Sequence, residues 1–219
     1  MTGLDRPTRG QLVTEILDVM RDLPIFLTAP LYRDWHLRWG ATPAEIEAAL
    51  PGDDLLPRAQ FRATRAITID APPAAVWPWL VQVGCRRAGW YSNDLLDNLA
   101  RPSATTIVPG LQHLETGQWV PMSPTPTDAT ALKVHSFQAD EWLLWTKSDS
   151  TWAWQLTSTK DNGTRLLTRI HAAYDWRYPM TALLGVLLME FGDFAMLRRM
   201  LRGIKKRAES LDLETPPET

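Results

Sequence analysis

The chain has 219 residues, 45% of them hydrophobic, and a formal charge of −2 from 23 Lys and Arg against 25 Asp and Glu. That length suits one domain with a sizeable core and an extension, and the balance of charge excludes the basic footprint of a nucleic-acid binder. A single cysteine, Cys85, excludes an intrachain disulfide framework, and the four histidines (His36, His113, His135, His171) are too scattered to set a metal site.

Eleven tryptophans against four tyrosines imply a generous core or an internal cavity, because each indole buries a large apolar area. Residues 1–8 look loose. Over 8–21, Leu12, Ile16, Val19 and Met20 recur at helical spacing opposite Glu15, Asp18 and Asp22, which predicts an amphipathic helix. Its apolar face is expected to pack onto the main domain. Membrane-surface binding is the alternative, and the acidic polar face counts against it. Residues 23–32 are apolar but broken by Pro24 and Pro30, and read as a strap over the surface. Thr42-Pro43-Ala44-Glu45 is a capping box with proline at the first helical position. Residues 1–60 thus read as an N-terminal helical arm packing on a domain at 61–210, followed by a disordered tail at 211–219.

Residues 62–70 alternate, with Ala63, Arg65, Ile67 and Ile69 on one face of a strand. Ala71-Pro72-Pro73 starts a helix to about Val83, which Pro78 should kink because it cannot donate to the Ala74 carbonyl. Ser92 or Asn93 caps a second short helix at 94–99. From 118 the pattern switches to period two. Residues 118–122, 131–137, 141–147, 151–159 and 164–176 read as five strands, with Asp161-Asn162-Gly163 as a hairpin signal. In the last of these, Leu166, Thr168, Ile170, Ala172 and Tyr174 share one face while Arg165, Arg169 and His171 point away. That is the pattern of an antiparallel sheet covered on one side only.

The element long enough to cover that side is the last helix, at 180–210. Tyr178-Pro179 opens it, and Lys205-Lys206-Arg207 close it where the helix dipole favours positive charge. About 30 residues give roughly 45 Å, enough to cross a domain. On a wheel of 100° per residue, Gly185, Gly192 and Gly203 fall on one line, Met189, Met196 and Met200 lie beside it, and Asp193 sits within the apolar arc. An unpaired ionised carboxylate there is prohibitively costly. Asp193 is therefore a general acid or base, an anchor for a ligand hydroxyl or amine, or a structural partner to a tryptophan N–H, a tyrosine or an arginine such as Arg87. Glu190, one turn earlier, is expected to reach water. The apolar run at 180–189 is too short to span a bilayer, and the N-terminal stretch has no charged-then-apolar segment. A cytoplasmic protein with no transmembrane segment is expected.

Strand, two helices, antiparallel meander and long helix is an α+β order, and specific wording accompanies it. Ala66-Ile67-Thr68-Ile69-Asp70-Ala71-Pro72-Pro73, then Val76-Trp77-Pro78-Trp79-Leu80-Val81-Gln82-Val83-Gly84, then Arg87-Ala88-Gly89-Trp90-Tyr91-Ser92 resemble the polyketide cyclase-like bacterial subgroup of the START-like, or SRPBCC, superfamily. His36-Leu37-Arg38-Trp39-Gly40, Val120-Pro121-Met122-Ser123-Pro124 and Gly192-Asp193-Phe194 are similar to it too, so the likeness covers roughly residues 35–208. Phe191 departs from it, where proline would be expected. The resemblance implies a helix-grip fold: a curved antiparallel sheet wrapped around a long C-terminal helix, with two short helices after the first strand. It also implies a cavity between sheet and helix, open near those short helices, and hydrophobic ligand binding. Trp90, Trp152, Trp154, Tyr174, Met189, Met196 and Phe194 would be its ligand-binding walls, or would fill one another's space as solid core.

The candidate catalytic residues are Asp193, Tyr91 and Asp94. The turn at 89–94 lies at the expected mouth, where Tyr91 or Asp94 would touch ligand. The competing reading has Ser92 or Asn93 capping the helix, Asp94 favouring its positive end and Trp90 stapling it to the core. Asp94 and Asp97 share a helix face but lack the further oxygens a hard metal needs, so no metal and no cofactor is expected. His135 and His171 are expected to face solvent, and His113 falls in a loop near the mouth. Arg86 and Arg87 would lower the pKa of Cys85, which has no visible acid–base partner. The expected function is binding of a mainly apolar small molecule. Either it is turned over by a polyketide, terpenoid or aromatic cyclase- or dehydratase-like enzyme, or it is a lipid or isoprenoid held by a non-catalytic carrier; a partner-binding module using the arm is the third reading. Two or more converging ionisable groups in the cavity would favour the enzyme. An apolar chamber with Asp193 tied to protein would favour the carrier.

Overall fold

The structure, a computed structural model, describes residues 8–212. α1 (Arg9–Thr28) opens with a capping box: the Thr8 hydroxyl accepts from the Gln11 N–H and the Gln11 side chain accepts from the Thr8 N–H. The helix runs through Pro24, where the sequence suggested a strap. Proline removes one donor, but Met20 and Pro24 face solvent, so water can satisfy the carbonyl left unpaired. A 3₁₀ turn (Ala29–Tyr32), α2 (Arg33–His36) and α3 (Pro43–Glu47) follow, the last under the expected Thr42–Glu45 capping box.

The rest of the chain comprises β1 (Phe61–Ile69), α4 (Pro73–Val81), α5 (Asp94–Asp97), β2 (Trp119–Pro121), β3 (Ala131–Gln138), β4 (Trp142–Lys147), β5 (Ser150–Ser158), β6 (Thr164–Ala172), α6 (Pro179–Leu187), a π-helical turn (Leu188–Gly192) and α7 (Asp193–Asp212). Leu211 and Asp212 therefore belong to a helix. The remainder of the expected tail, 213–219, and residues 1–7 lie outside the described residues.

The strands form one antiparallel sheet in the order β1-β6-β5-β4-β3-β2. β1 and β6 pair in unbroken register from Phe61↔Ala172 to Ile69↔Thr164, while a shift between Val134 and Ser136 bends β3. Phe61, Ile69, Leu143, Trp145, Trp154 and Leu166 of the sheet pack with Trp79 and Leu80 of α4 and with Leu197, Met200, Leu201 and Ile204 of α7. The architecture is an α+β helix grip.

Part of the outer face of the sheet is covered. Arg169 and His171, expected in solvent, are buried. Arg169 donates to Thr64 Oγ1 at 2.9 Å, to the Asp53 carboxylate at 2.6 Å and to the carbonyls of Glu45, Ile46 and Ala48. Arg165 pairs with Glu45 at 2.7 Å. Beneath this layer Leu50, Ala66, Leu144, Ala153 and Leu167 form a second apolar cluster. Alternation marks a polar face but cannot say what meets it; here the carbonyls at the end of α3 satisfy an arginine's several donors. The arm also lies along the free edge of β1, where Thr64 and Ala66 donate to the carbonyls of Leu37 and Trp39.

α1 docks with its polar side inward, opposite to expectation. Glu15 accepts from the N–H groups of Asp94 and Leu95 at the start of α5, and Asp18 and Asp22 pair with Arg199 of α7. Leu12, Ile16 and Met20, expected against the domain, are exposed. The acids find charge and free helix N–H groups on the body, and the apolar arc is left outside.

Candidate functional site

The expected single rod at 180–210 is interrupted by the π turn, whose extra residue resets the helical phase between α6 and α7. α6 leaves Met180, Leu183, Leu184 and Leu187 exposed, whereas α7 buries Leu197, Met200, Leu201 and Ile204. By length and composition alone the helix over 179–210 would suffice to cross a membrane, a test that the core helix of a soluble domain also passes, and 22% of its most apolar stretch is buried.

The three aligned glycines have different surroundings. A Cβ on Gly203 would collide with the Tyr91 carbonyl oxygen, so α7 packs there at glycine distance. One on Gly185 would meet the Tyr174 ring at 3.3 Å. One on Gly192 would meet nothing nearer than Met196 Sδ at 4.0 Å, so glycine leaves space open.

That space belongs to two adjoining chambers of about 400 and 440 Å³ between the sheet and the last helix. They share Met122, Ala129, Trp152, Leu188, Met189 and Asp193 as walls. The first chamber extends past Ile170, Tyr174 and Gly185 to a rim at Tyr178; the second extends past Met196 and Met200 to Trp90, Ser92 and Asp97. Trp90 stacks on Trp152 with centroids 5.7 Å apart, and its indole N–H donates to the Pro121 carbonyl at 3.1 Å. The Trp152 N–H donates to Thr168 Oγ1 at 2.7 Å, which leaves its apolar ring to the chambers.

Asp193 stands where both chambers meet, and its partner is Arg65 of β1 at 2.5 Å, not Arg87. The Arg65 side chain is fully buried. It donates through Nε to the His36 carbonyl at 2.7 Å and lies 5.4 Å from the centroid of the Phe194 ring. Arg87 donates instead to the Val81 carbonyl at 2.9 Å. The signal for Arg65 was present in the strand: a cation among Ala63, Ile67 and Ile69 on an apolar face must have a buried partner.

Of the other candidates, Trp90, Trp152, Tyr174, Met189 and Met196 lie on chamber walls. Trp154 does not; it is fully buried against Trp145 and Trp152. Phe194 is also turned away, among Tyr32, Trp35, His36 and Trp39 of the arm, because one residue past Asp193 is a 100° rotation round α7. Tyr91 and Asp94 do not reach the chambers. The Tyr91 hydroxyl donates to the Trp79 carbonyl and accepts from Gln82, and burial pushes its pKa up. The Asp94 carboxylate accepts from the Asn98 side chain and the Ser103 N–H. Asn93 provides the cap of α5.

Polar side chains besides Asp193 also line the chambers: Lys147, Asp149 and Asp175 in the first, and Asp97 in the second. The Tyr174 hydroxyl is buried with no hydrogen-bond partner in the protein, and burial, with Glu190 and Asp193 nearby, pushes its pKa up to about 12. Asp97, whose carboxylate accepts from the Ser92 hydroxyl, is pushed up to about 7 by burial and, secondarily, by Asp94. Glu190, expected in water, pairs with Arg33 at 2.7 Å. Cys85 is buried, and burial raises its pKa, against the lowering expected from its arginine neighbours. His113 and His135 are exposed. Among the described residues no three of His, Cys, Asp and Glu gather as a metal site would require.

The fold and its chambers define the class of protein, a helix-grip domain with solvent-open apolar pockets between sheet and last helix. No family model matches the chain, and no curated protein matches it. Among solved structures, the chain is similar to the Polyketide_cyc-like protein from Corynebacterium glutamicum, with 11% identity, 72% of this chain and 96% of that one covered, and a TM-score of 0.43. It is also similar to the AHSA1-like protein from Aeromonas hydrophila (14% identity, 73% and 99% covered, TM-score 0.39). A protein from Mesorhizobium loti stands at the same level (14% identity, 71% and 100% covered, TM-score 0.37). These likenesses assign no activity.

Proposed function

We propose that the chain binds a mainly apolar small molecule in the paired chambers and acts as a carrier. The observation that supports this most is the pairing of Asp193 with Arg65, which engages the one carboxylate at the junction of the chambers and leaves Trp152, Met189 and Leu188 as the shared wall. Each chamber falls within the usual range for small-molecule sites. Tyr174 adds to the wall of the first chamber. A cytoplasmic setting agrees with the unpaired Cys85, and residues 1–60 act as the arm of a domain at 61–210.

Native mass spectrometry of freshly purified protein, followed by solvent extraction, tests this directly. So does titration with the uncharged fluorophore N-phenyl-1-naphthylamine. A protein that carries no extractable molecule and does not bind the fluorophore would defeat the proposal.

A catalytic reading is supported by one observation. Asp97, with a pKa near 7 and the Ser92 hydroxyl on its carboxylate, walls the second chamber and can both give and take a proton at neutral pH. In that case the protein is a cyclase- or dehydratase-like enzyme on a polyketide, terpenoid or aromatic substrate. Asp97→Asn then abolishes turnover of an extracted ligand and leaves its binding intact.

A further inference from the structure

α1 presents to solvent the face that a packing helix would bury. At 100° per residue, Ile16, Leu27, Met20, Val13 and Leu17 fill a continuous arc of about 100°, and Leu17, Met20 and Leu27 are 60–64% exposed. Glu15, Asp18 and Asp22 are all turned into the body and engaged there, so the acidity that argued against a membrane in the sequence is not on the outward side.

Just beyond Leu17 round the helix comes Arg21, and with it a cleft of about 620 Å³ between α1 and α7. Arg198, Arg202 and Lys206 line its other wall. The carboxylates of the cleft, Asp18 and Asp22, are taken by Arg199, and among the described residues none of Arg21, Arg198, Arg202 and Lys206 forms an ion pair. Arg198 Nε is buried with no partner. Arg198 and Arg202 both lie over the Trp39 ring, at 5.6 and 5.8 Å from its centroid. Like charges held side by side, in a cleft whose two carboxylates are already shared with Arg199, attract an anion.

An apolar ridge edged by unpaired cations matches the chemistry of an anionic lipid surface, in which leucines enter the acyl boundary and guanidinium groups meet phosphates. A second copy of this chain fits less well, because a two-fold contact sets the same cations against each other with no free carboxylate to meet them. We propose that α1 and the basic cleft beside it dock the protein on the surface of an anionic lipid bilayer. The proposal does not depend on what the chambers hold.

The test is flotation of the full chain with phosphatidylcholine vesicles, with and without about 30 mol% phosphatidylglycerol. The protein binds the anionic vesicles about tenfold better than the neutral ones and is released at about 0.5 M salt. Leu17→Glu/Met20→Glu lowers binding about tenfold, and Arg198→Gln/Arg202→Gln lowers it about fivefold per cation. Both variants keep the wild-type melting temperature and fluorophore binding, which separates this surface from the chambers. Absence of vesicle binding overturns the proposal, as does equal binding to both vesicles or full retention by the α1 variant. A wild-type dimer that the α1 variant splits, with no vesicle binding, would reassign the face to a second copy.

Discussion

Removing one member of the Arg65–Asp193 pair leaves an ionised group inside the protein with nothing opposite it. The side chains are 0% and 6% exposed and 2.5 Å apart. Losing a partner from such a pair costs about 3–5 kcal/mol, because the survivor keeps its desolvation penalty and loses its attraction. At about 2–4 °C per kcal/mol for a chain of this size, Arg65→Met and Asp193→Asn each lower the melting temperature by roughly 6–20 °C. Arg65→Met also loses the guanidinium contact with Phe194. The double variant Arg65→Met/Asp193→Leu should recover most of the loss, since apolar replacement of a whole buried pair is often close to neutral. Thermal melts of the four proteins, read as a double-mutant cycle, decide the matter. Single variants within about 2 °C of wild type would refute the reasoning. Loss of fluorophore binding by Asp193→Asn at unchanged melting temperature would make Asp193 a ligand anchor instead.

Gly192→Leu places a side chain in open chamber space and should cut N-phenyl-1-naphthylamine affinity about tenfold or more with little change in melting temperature; unchanged affinity would place the probe elsewhere. Gly203→Ala forces a methyl against the Tyr91 carbonyl and should cost about 1–3 kcal/mol in denaturant unfolding, whereas a neutral result would mean that α7 can lift away freely. Asp97 rises from 3.8 to about 7 on folding, so the folded chain binds the extra proton between those values. Its contribution to stability is complete below about pH 4 and is lost as pH rises through 7, by at most about 4 kcal/mol. Asp97→Asn should flatten that slope and raise the melting temperature at pH 8, and a slope that survives the substitution would assign it to another group.

The strands and helices were largely legible because period two and period 3.6 are written in local order, and capping residues mark where helices start. The resemblance carried by the stretches around Val76–Val83 and Arg87–Ser92 supplied the expectation of a cavity, and the paired chambers lie where it placed them. Other features depended on contacts between distant residues. Period two placed Arg169 and His171 on the outer face of β6, but the arm that buries them lies more than a hundred residues away in sequence. The wheel placed Asp193 in the apolar arc, yet the choice between Arg65 and Arg87 was a question of distance. Phe194 was misplaced for a related reason: the arm's aromatic rings, not the sheet, receive it.

By itself the sequence determined that α1 has one apolar side and one acidic side, that a carboxylate lies within the apolar arc of the last helix, and that a cation sits on the apolar face of β1. Each follows from residue spacing along a single element. Only the tertiary structure decided that the acidic side of α1 turns inward, that Arg65 and Asp193 meet, and that Asp97, rather than Tyr91 or Asp94, lines a chamber. The physical reason is the same in each case. Periodicity fixes which residues share a face, while partners separated by as many as 181 positions determine what that face meets.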